Sequence, residues 1–230
     1  MEQASRVTRA PHARPEVACL QTSRRVCCAS MKLYFARRTR ATRPRWLLEE
    51  LGVPYEKINL ELSKGEHKSP EYLAVHPLGV VPALVDGEVT LFESVAICLY
   101  LADKYLDRGL APAHGTPARA QYYQWMVFAA ATLEPAVADY SAHTSYLPEA
   151  ERRPAVAEAA RARFVAAAEV VSGALGARST LVGERFTAAD VIVGSILLWA
   201  GSMGLLAQHP TLEAYTKTLR ARPAWARAQA

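Results

Sequence analysis

The sequence predicts a small mixed α/β domain followed by an all-helical domain. Strand-like and helix-like segments alternate in the order β-α-β-α-β-β-α over about 75 residues from position 31, which fits a small sheet with helices on both faces. A stretch rich in Gly and Pro follows, and all later apolar patterns have helical spacing. At 230 residues and 51% hydrophobic composition, the chain suits one or two compact domains with a sizeable core.

The first three elements are a strand, a helix and a second strand. Residues 32–36 form an apolar run typical of a buried strand. Residues 44–51 place Trp46 and three leucines on one helical face, and Gly52 and Pro54 end that helix. Residues 55–60 alternate well enough for a strand.

The next elements are a short helix, a hairpin and a longer helix. Ser69-Pro70 is a helix-start signature before a short helix that runs to about residue 75. Residues 83–85 and 89–92 read as strands joined by an Asp-Gly turn, and a helix follows over about 95–105.

The remaining chain is predicted to be helical. One apolar stripe includes Tyr122, Met126 and Leu133, with Pro135 as a kink or stop, and a second lies on an alanine-rich helix around Phe164. Thr187 and Asp190 form a structural capping box. The predicted divisions are 1–30 (extension), 31–106 (first domain), 107–117 (linker) and 118–230 (helical domain).

Composition and charge exclude several functions. The net charge of +5 divides into +3 for residues 1–30 and +2 for the remainder, which argues against nucleic-acid binding. No apolar run approaches the roughly 20 residues of a membrane span. Three of the four cysteines lie in the first 30 residues, and the remaining one, Cys98, cannot form a disulfide framework alone, which indicates a reducing compartment. The six histidines show no metal-ligand spacing.

Residues 1–30 show no hydrophobic periodicity and no apolar core of a secretory signal. Their Arg-rich, acid-poor composition leaves an organelle transit peptide open. The favoured interpretation is that Met31 opens the first strand and that residues 1–30 are a disordered or mis-annotated extension.

The most informative segment joins the hairpin to the next helix. Glu93 and Ser94 place a carboxylate and a hydroxyl beside the free N–H groups of a helix start. These groups can hold the ammonium and carboxylate of an amino-acid head group. A plain helix cap is the alternative interpretation of the same pair.

With Pro82 at the entry to its first strand, the segment from Val80 to Ser94 resembles the thioredoxin-like half of cytosolic glutathione S-transferases, in the bacterial theta/beta-like branch. The resemblance extends over nearly all of residues 31–230. It implies an N-terminal thioredoxin-like domain and an all-helical C-terminal domain. It also implies a cis bond before Pro82, main-chain pairing of Val81 with the cysteinyl group of glutathione, and γ-glutamyl binding by Glu93 and Ser94.

The resemblance extends to His67 and Lys68, which match side chains that approach the glycyl carboxylate of glutathione. Without it, a His-Lys pair in a polar loop is usually solvated surface. One position departs from the family pattern, because relatives often carry Lys or Arg where this chain has Val80.

Catalysis in such a protein requires the glutathione thiolate to be favoured over the thiol. The resemblance implies Thr39 as the hydroxyl donor and Arg40 as an electrostatic helper, with Thr42 as the fallback. The alternative is a solvated basic loop in which Thr39 caps the helix. Tyr122 and Met126 are candidates for an apolar co-substrate pocket, although aromatic residues at helical spacing are more often core.

The leading functional hypothesis is a cytoplasmic, homodimeric detoxification enzyme that transfers glutathione to a small electrophile and needs no metal. A glutathione-dependent disulfide reductase or peroxidase is the nearest alternative, because glutathione itself can form the mixed disulfide. A non-catalytic protein-binding scaffold of the same fold is the third hypothesis. An isomerase role of the maleylacetoacetate type is disfavoured, since the Ser-Ser-Cys-type loop of that branch is absent.

Overall fold

The structure is a computed structural model that describes residues 31–230. The predicted extension over residues 1–30 lies outside the described residues. The first part of the structure is a four-stranded sheet in the order β2-β1-β3-β4, in which β1 pairs parallel to β2 and antiparallel to β3. The strands are β1 (Lys32–Phe35), β2 (Glu56–Asn59), β3 (Ala83–Asp86) and β4 (Val89–Phe92).

Three helices accompany the sheet, and their positions confirm the predicted element order. They are α1 (Thr42–Leu51), α2 (Pro70–Leu73) and α3 (Ser94–Lys104). Helix α1 ends at Gly52, which has φ +65° and donates its N–H to the Leu48 carbonyl oxygen at 3.0 Å. Helix α3 begins at Ser94, one residue earlier than the pattern predicts.

The second part is entirely helical, which confirms the predicted architecture of a thioredoxin-like domain followed by an all-helical domain. Its helices are α4 (Pro117–Phe128), α5 (Glu134–Ser141), α6 (Pro154–Leu175), α7 (Ala188–Ser202), α8 (Pro210–Arg220) and α9 (Pro223–Gln229). The capping box of Thr187 and Asp190 is present at the start of α7, as predicted. The exact domain boundaries stay predictions.

Helices α4 and α5 are joined by a π-helical turn over Ala129–Leu133. The N–H of Glu134 donates to the Ala129 carbonyl oxygen five residues back, and Pro135 lies in the first turn of α5. The predicted break at Pro135 is therefore a change of helical register. This change places Glu134 at the start of α5, where it faces the first domain.

One continuous apolar core joins the two parts. Trp46 of α1 is fully buried, and its ring lies 4.8 Å from that of Trp225 and 5.8 Å from that of Phe186. Because α1 packs against α3, α7 and α9, the functional residues at its N-terminal end have a rigid support. Among residues 31–230, no helix combines the length and apolarity needed to cross a bilayer.

Candidate active site

A main-chain segment leads into β3 and carries the peptide bond between Val81 and Pro82, which is cis as the resemblance implies. We call residues 76–82 the strap. The Tyr72 hydroxyl of α2 donates to the Val80 carbonyl oxygen at 2.6 Å. The position of the strap is thus fixed from one side by α2 and from the other by the pairing of β3 in the sheet.

The junction between β4 and α3 carries Glu93 and Ser94. Glu93 adopts φ +70°, a backbone conformation that L-residues rarely adopt, and its side chain is exposed. Ser94 is the first residue of α3 and is only 4% exposed. The junction therefore presents the carboxylate of Glu93 and the free N–H groups of a helix start together.

Arg43 on α1 connects this junction to the helical domain. Its Nη1 donates to the Ser94 Oγ at 3.1 Å and to one carboxylate oxygen of Glu134 at 2.8 Å. Its Nη2 donates to the other oxygen of Glu134 at 2.8 Å, and its Nε donates to the Ser195 Oγ at 2.9 Å. Arg43 is thus buried with each guanidinium nitrogen bonded, which fixes its geometry.

The carboxylate of Glu134 is buried and also forms an ion pair with Arg40. Burial alone would raise the pKa of Glu134, but the hydrogen bonds and positive charge of Arg43, together with Arg40, outweigh it and lower the pKa below the ordinary value. Glu134 is therefore an anion that neutralises part of the basic loop after β1.

These residues border a cleft of about 410 Å³ between the two domains. On the first-domain side, its lining includes five of the predicted site residues, namely Arg40, Val81, Pro82, Glu93 and Ser94. The opposite wall belongs to the π turn and α5, through Ala130, Glu134, Pro135 and Ala138. A cleft at a domain interface with a few converging polar groups is the usual form of a small-molecule site.

The other two predicted glutathione-binding residues, His67 and Lys68, pack against the strap instead of lining this cleft. The Lys68 Nζ donates to the Leu78 carbonyl oxygen at 2.8 Å. A Cβ atom added at Gly79 would lie 2.4 Å from the His67 carbonyl oxygen, so the two segments touch. The Nδ1 of His67 is buried and has no hydrogen-bond partner within residues 31–230.

Thr39 lies in the turn between β1 and α1. Its hydroxyl donates to the Ala36 carbonyl oxygen at 2.7 Å and accepts the Ala41 N–H at 3.2 Å. It does not cap α1, because Ala41 occupies the N-cap position and no side chain caps that helix. Thr39 therefore organises the turn, and its neighbour Arg40 reaches the cleft.

The prediction that Tyr122 and Met126 line the co-substrate pocket is wrong. Both side chains are 0% exposed and belong to the apolar core. Burial also raises the pKa of the Tyr122 hydroxyl, which lies in the core with no hydrogen-bond partner among the described residues. The residues that face the cleft come instead from the π turn and the start of α5, where the helical register has changed.

Sequence reasoning missed Arg43, Glu134 and His76. A signal existed for Glu134, because it is the single acid within the apolar stripe of residues 122–137 and directly precedes Pro135. Arg43 occupies the N-terminal turn of a helix whose next turn carries Trp46, Leu47 and Leu48. Among residues 31–230, no group of three or more His, Cys, Asp or Glu side chains could hold a metal ion.

A thioredoxin-like sheet with a cis-proline strap, facing a helical domain across a polar cleft, defines the glutathione-transferase class of fold. Two family models match, the glutathione S-transferase N-terminal domain over residues 29–103 and the C-terminal domain over residues 135–223. The chain belongs to the glutathione S-transferase family. Its assignment to the theta/beta-like branch stays a prediction.

Three relatives illustrate the range of the family. Glutathione S-transferase 3 of Zea mays is 30% identical and matches 78% of this chain and 83% of its own length. Disulfide-bond oxidoreductase YfcG of Escherichia coli (strain K12) is 30% identical and matches 84% of this chain and 91% of its own length. The crystal structure of glutathione transferase URE2P6 from Phanerochaete chrysosporium, in complex with oxidized glutathione, is 32% identical and has a TM-score of 0.78, with 86% of this chain and 94% of that chain covered.

Proposed function

We propose that this protein is a glutathione transferase that binds glutathione in the cleft between its domains and directs the thiolate at an electrophile. The observation that carries the proposal is the contact between Arg43 and Ser94. Because the Ser94 oxygen accepts the Arg43 N–H, its own O–H is available to donate into the cleft. A hydroxyl donor next to a buried cation and a helix start suits a carboxylate.

In this proposal glutathione lies extended along the strap. Its γ-glutamyl carboxylate accepts from the Ser94 hydroxyl and the first N–H groups of α3, and its ammonium group pairs with Glu93. The Val81 N–H and C=O pair with the cysteinyl main chain as an added strand would. His67 and Lys68 adjoin the strap at Gly79 and Leu78, where the glycyl carboxylate would lie, and supply positive charge and donors there.

The thiol of bound glutathione must lose its proton to react. Thr39 supplies the hydroxyl, which exchanges its bond to the Ala36 carbonyl for one to the thiolate, and Arg40 supplies positive charge at the cleft. The electrophile lies against the wall formed by the π turn and α5, whose small side chains Ala130 and Ala138 leave space beside the thiolate. Catalysis then combines thiolate stabilisation with the juxtaposition of two reactants.

The proposal includes assembly as a homodimer in the cytoplasm, with a role in detoxification. Apolar side chains exposed on the strap and on α4 support the dimer, because Leu78 is 69% exposed and Val127 is 63% exposed. Sedimentation measurements of the purified protein test this part independently of catalysis.

A glutathione-dependent disulfide reductase is the second candidate. The relatives support it, since one is a disulfide-bond oxidoreductase and another was solved with oxidized glutathione. The described part of the chain contains a single cysteine, Cys98, which is fully buried, and burial strongly raises the pKa of its thiol. Within residues 31–230, such a reaction would therefore use glutathione as the thiol.

The deciding experiment measures glutathione conjugation across a panel of electrophiles and disulfides with wild type, Thr39→Ala and Thr42→Ala. We expect Thr39→Ala to lower turnover by about 10²-fold, within the range for loss of a transition-state hydrogen-bond donor. Thr42→Ala tests the fallback hydroxyl of the same loop and should retain turnover. Undiminished turnover in Thr39→Ala would reject the hydroxyl assignment, and turnover with disulfides alone would favour the reductase.

A further inference from the structure

The strap contains a buried histidine, His76, that borders the cleft. The residue is only 3% exposed and is one of the residues that line the cleft. Its ring lies 4.8 Å from that of Phe92 and 6.3 Å from that of Tyr72, which holds it in one orientation. A side chain fixed in this way presents its polar atoms without a further loss of conformational freedom.

The hydrogen bonds of His76 define which nitrogen carries the proton. The Leu78 N–H donates to the His76 Nδ1 at 3.3 Å, so Nδ1 is an acceptor and the proton of the neutral ring lies on Nε2. Within the described part of the chain, the Nε2 has no hydrogen-bond partner, and it is not fully buried. The structure thus leaves one oriented N–H donor for the cleft.

The ring contact with Phe92 places His76 next to the junction of Glu93 and Ser94. Burial lowers the pKa of His76 and Lys68 adds to that shift, whereas the nearby carboxylate of Glu93 and a backbone hydrogen bond oppose it. The net shift is downward, so the ring is neutral near neutral pH. His76 therefore offers a hydrogen bond beside Glu93 without adding a positive charge that would repel an ammonium group.

We propose that His76 is a further ligand-binding residue, whose Nε2–H donates to an oxygen of the γ-glutamyl part of bound glutathione. This inference rests on the proposed function. It assigns recognition of the head group to the strap as well as to Glu93 and Ser94. Glutathione and the dipeptide γ-glutamylcysteine, which lacks the glycyl group, should depend on His76 equally.

Two substitutions distinguish the roles of the two ring nitrogens of His76. In His76→Asn the amide oxygen can still accept the Leu78 N–H, but the side chain is too short to reach the cleft. In His76→Gln the amide reaches the cleft as a donor, whereas the strap bond is lost. His114→Asn, at an exposed histidine of the predicted linker, is the matched control.

Calorimetric titration with glutathione and with γ-glutamylcysteine at neutral pH tests the proposal. We expect His76→Asn to weaken both ligands by about 3- to 10-fold, His76→Gln to weaken them less than His76→Asn does, and His114→Asn to stay within about twofold of wild type. Unchanged affinity in His76→Asn, or an equal loss in His76→Gln, would overturn the inference. If either of these results is found while the wild type still binds glutathione, only the role of His76 is rejected and the proposed function stands. If the wild type does not bind glutathione, both proposals are rejected.

A second measurement does not depend on the folding of any variant. Nitrogen NMR of the wild-type protein labelled at histidine follows the two ring nitrogens during addition of γ-glutamylcysteine. We expect the Nε2 resonance of His76 to shift and the Nδ1 resonance to stay in place. An unchanged Nε2 resonance at saturating ligand would contradict the proposal.

Discussion

Arg43 and Glu134 form a buried two-point ion pair, with Nη1 to Oε2 and Nη2 to Oε1 both at 2.8 Å. The pair joins the first helix of the sheet domain to the start of α5, and the same guanidinium contacts Ser94. The contact between the two domains and the proposed head-group site therefore both depend on the guanidinium group of Arg43. Changes at Glu134 should affect both stability and glutathione affinity.

The first prediction concerns Glu134→Gln. This substitution leaves the buried Arg43 without its counter-charge, and we expect a loss of about 3 kcal/mol in the free energy of unfolding. Asp139→Asn on the same helix is the control, because its pair with Arg163 is half exposed and should contribute less than about 1 kcal/mol. Urea unfolding measures both, and equal losses would refute the special role of Glu134.

The second prediction concerns pH. The pKa of Glu134 is lower in the folded state than its ordinary value of 4.5, so the unfolded chain binds this proton more readily. The stability from this carboxylate is complete above pH 4.5 and declines as the pH falls through the lowered folded value. The difference in unfolding free energy between wild type and Glu134→Gln should narrow over that range. A difference that does not depend on pH would contradict the account.

The third prediction concerns the hydroxyl that holds the strap. Tyr72→Phe removes the 2.6 Å bond to the Val80 carbonyl oxygen and should cost about 1 kcal/mol of stability. Because the strap then loses its fixed position, we expect glutathione affinity to fall by about fivefold. Tyr55→Phe loses a comparable bond to Glu49, away from the cleft, and should keep full affinity.

The fourth prediction concerns Gly79→Ala. The residue has φ +54°, and an added Cβ would lie 2.4 Å from the His67 carbonyl oxygen and 2.9 Å from Leu73 Cδ2. We expect a loss of about 3 kcal/mol in stability together with weaker glutathione binding. Gly87→Ala at the hairpin has a similar φ but open space around it, so it should cost about 1 kcal/mol and leave binding intact. Thermal unfolding and calorimetry distinguish the two.

The hairpin and its flanks were predictable because their signals are local. Pro82, the Asp-Gly turn and the Glu93-Ser94 junction all lie within 13 residues of one another. The pairing of Arg43 with Glu134 was not predictable, since 91 residues separate them and only the packing of α1 against the helical domain brings them together. Tyr122 and Met126 were misassigned because helical spacing does not distinguish a core-facing stripe from a cleft-facing one.

The most direct test of the central claim is calorimetric titration of glutathione into wild type and Ser94→Ala. The account predicts heat of binding for wild type and at least about tenfold weaker affinity in Ser94→Ala, because a hydrogen bond to a charged carboxylate is lost. An absence of binding heat in wild type, or equal affinity in the two proteins, would contradict a head-group site at Glu93 and Ser94.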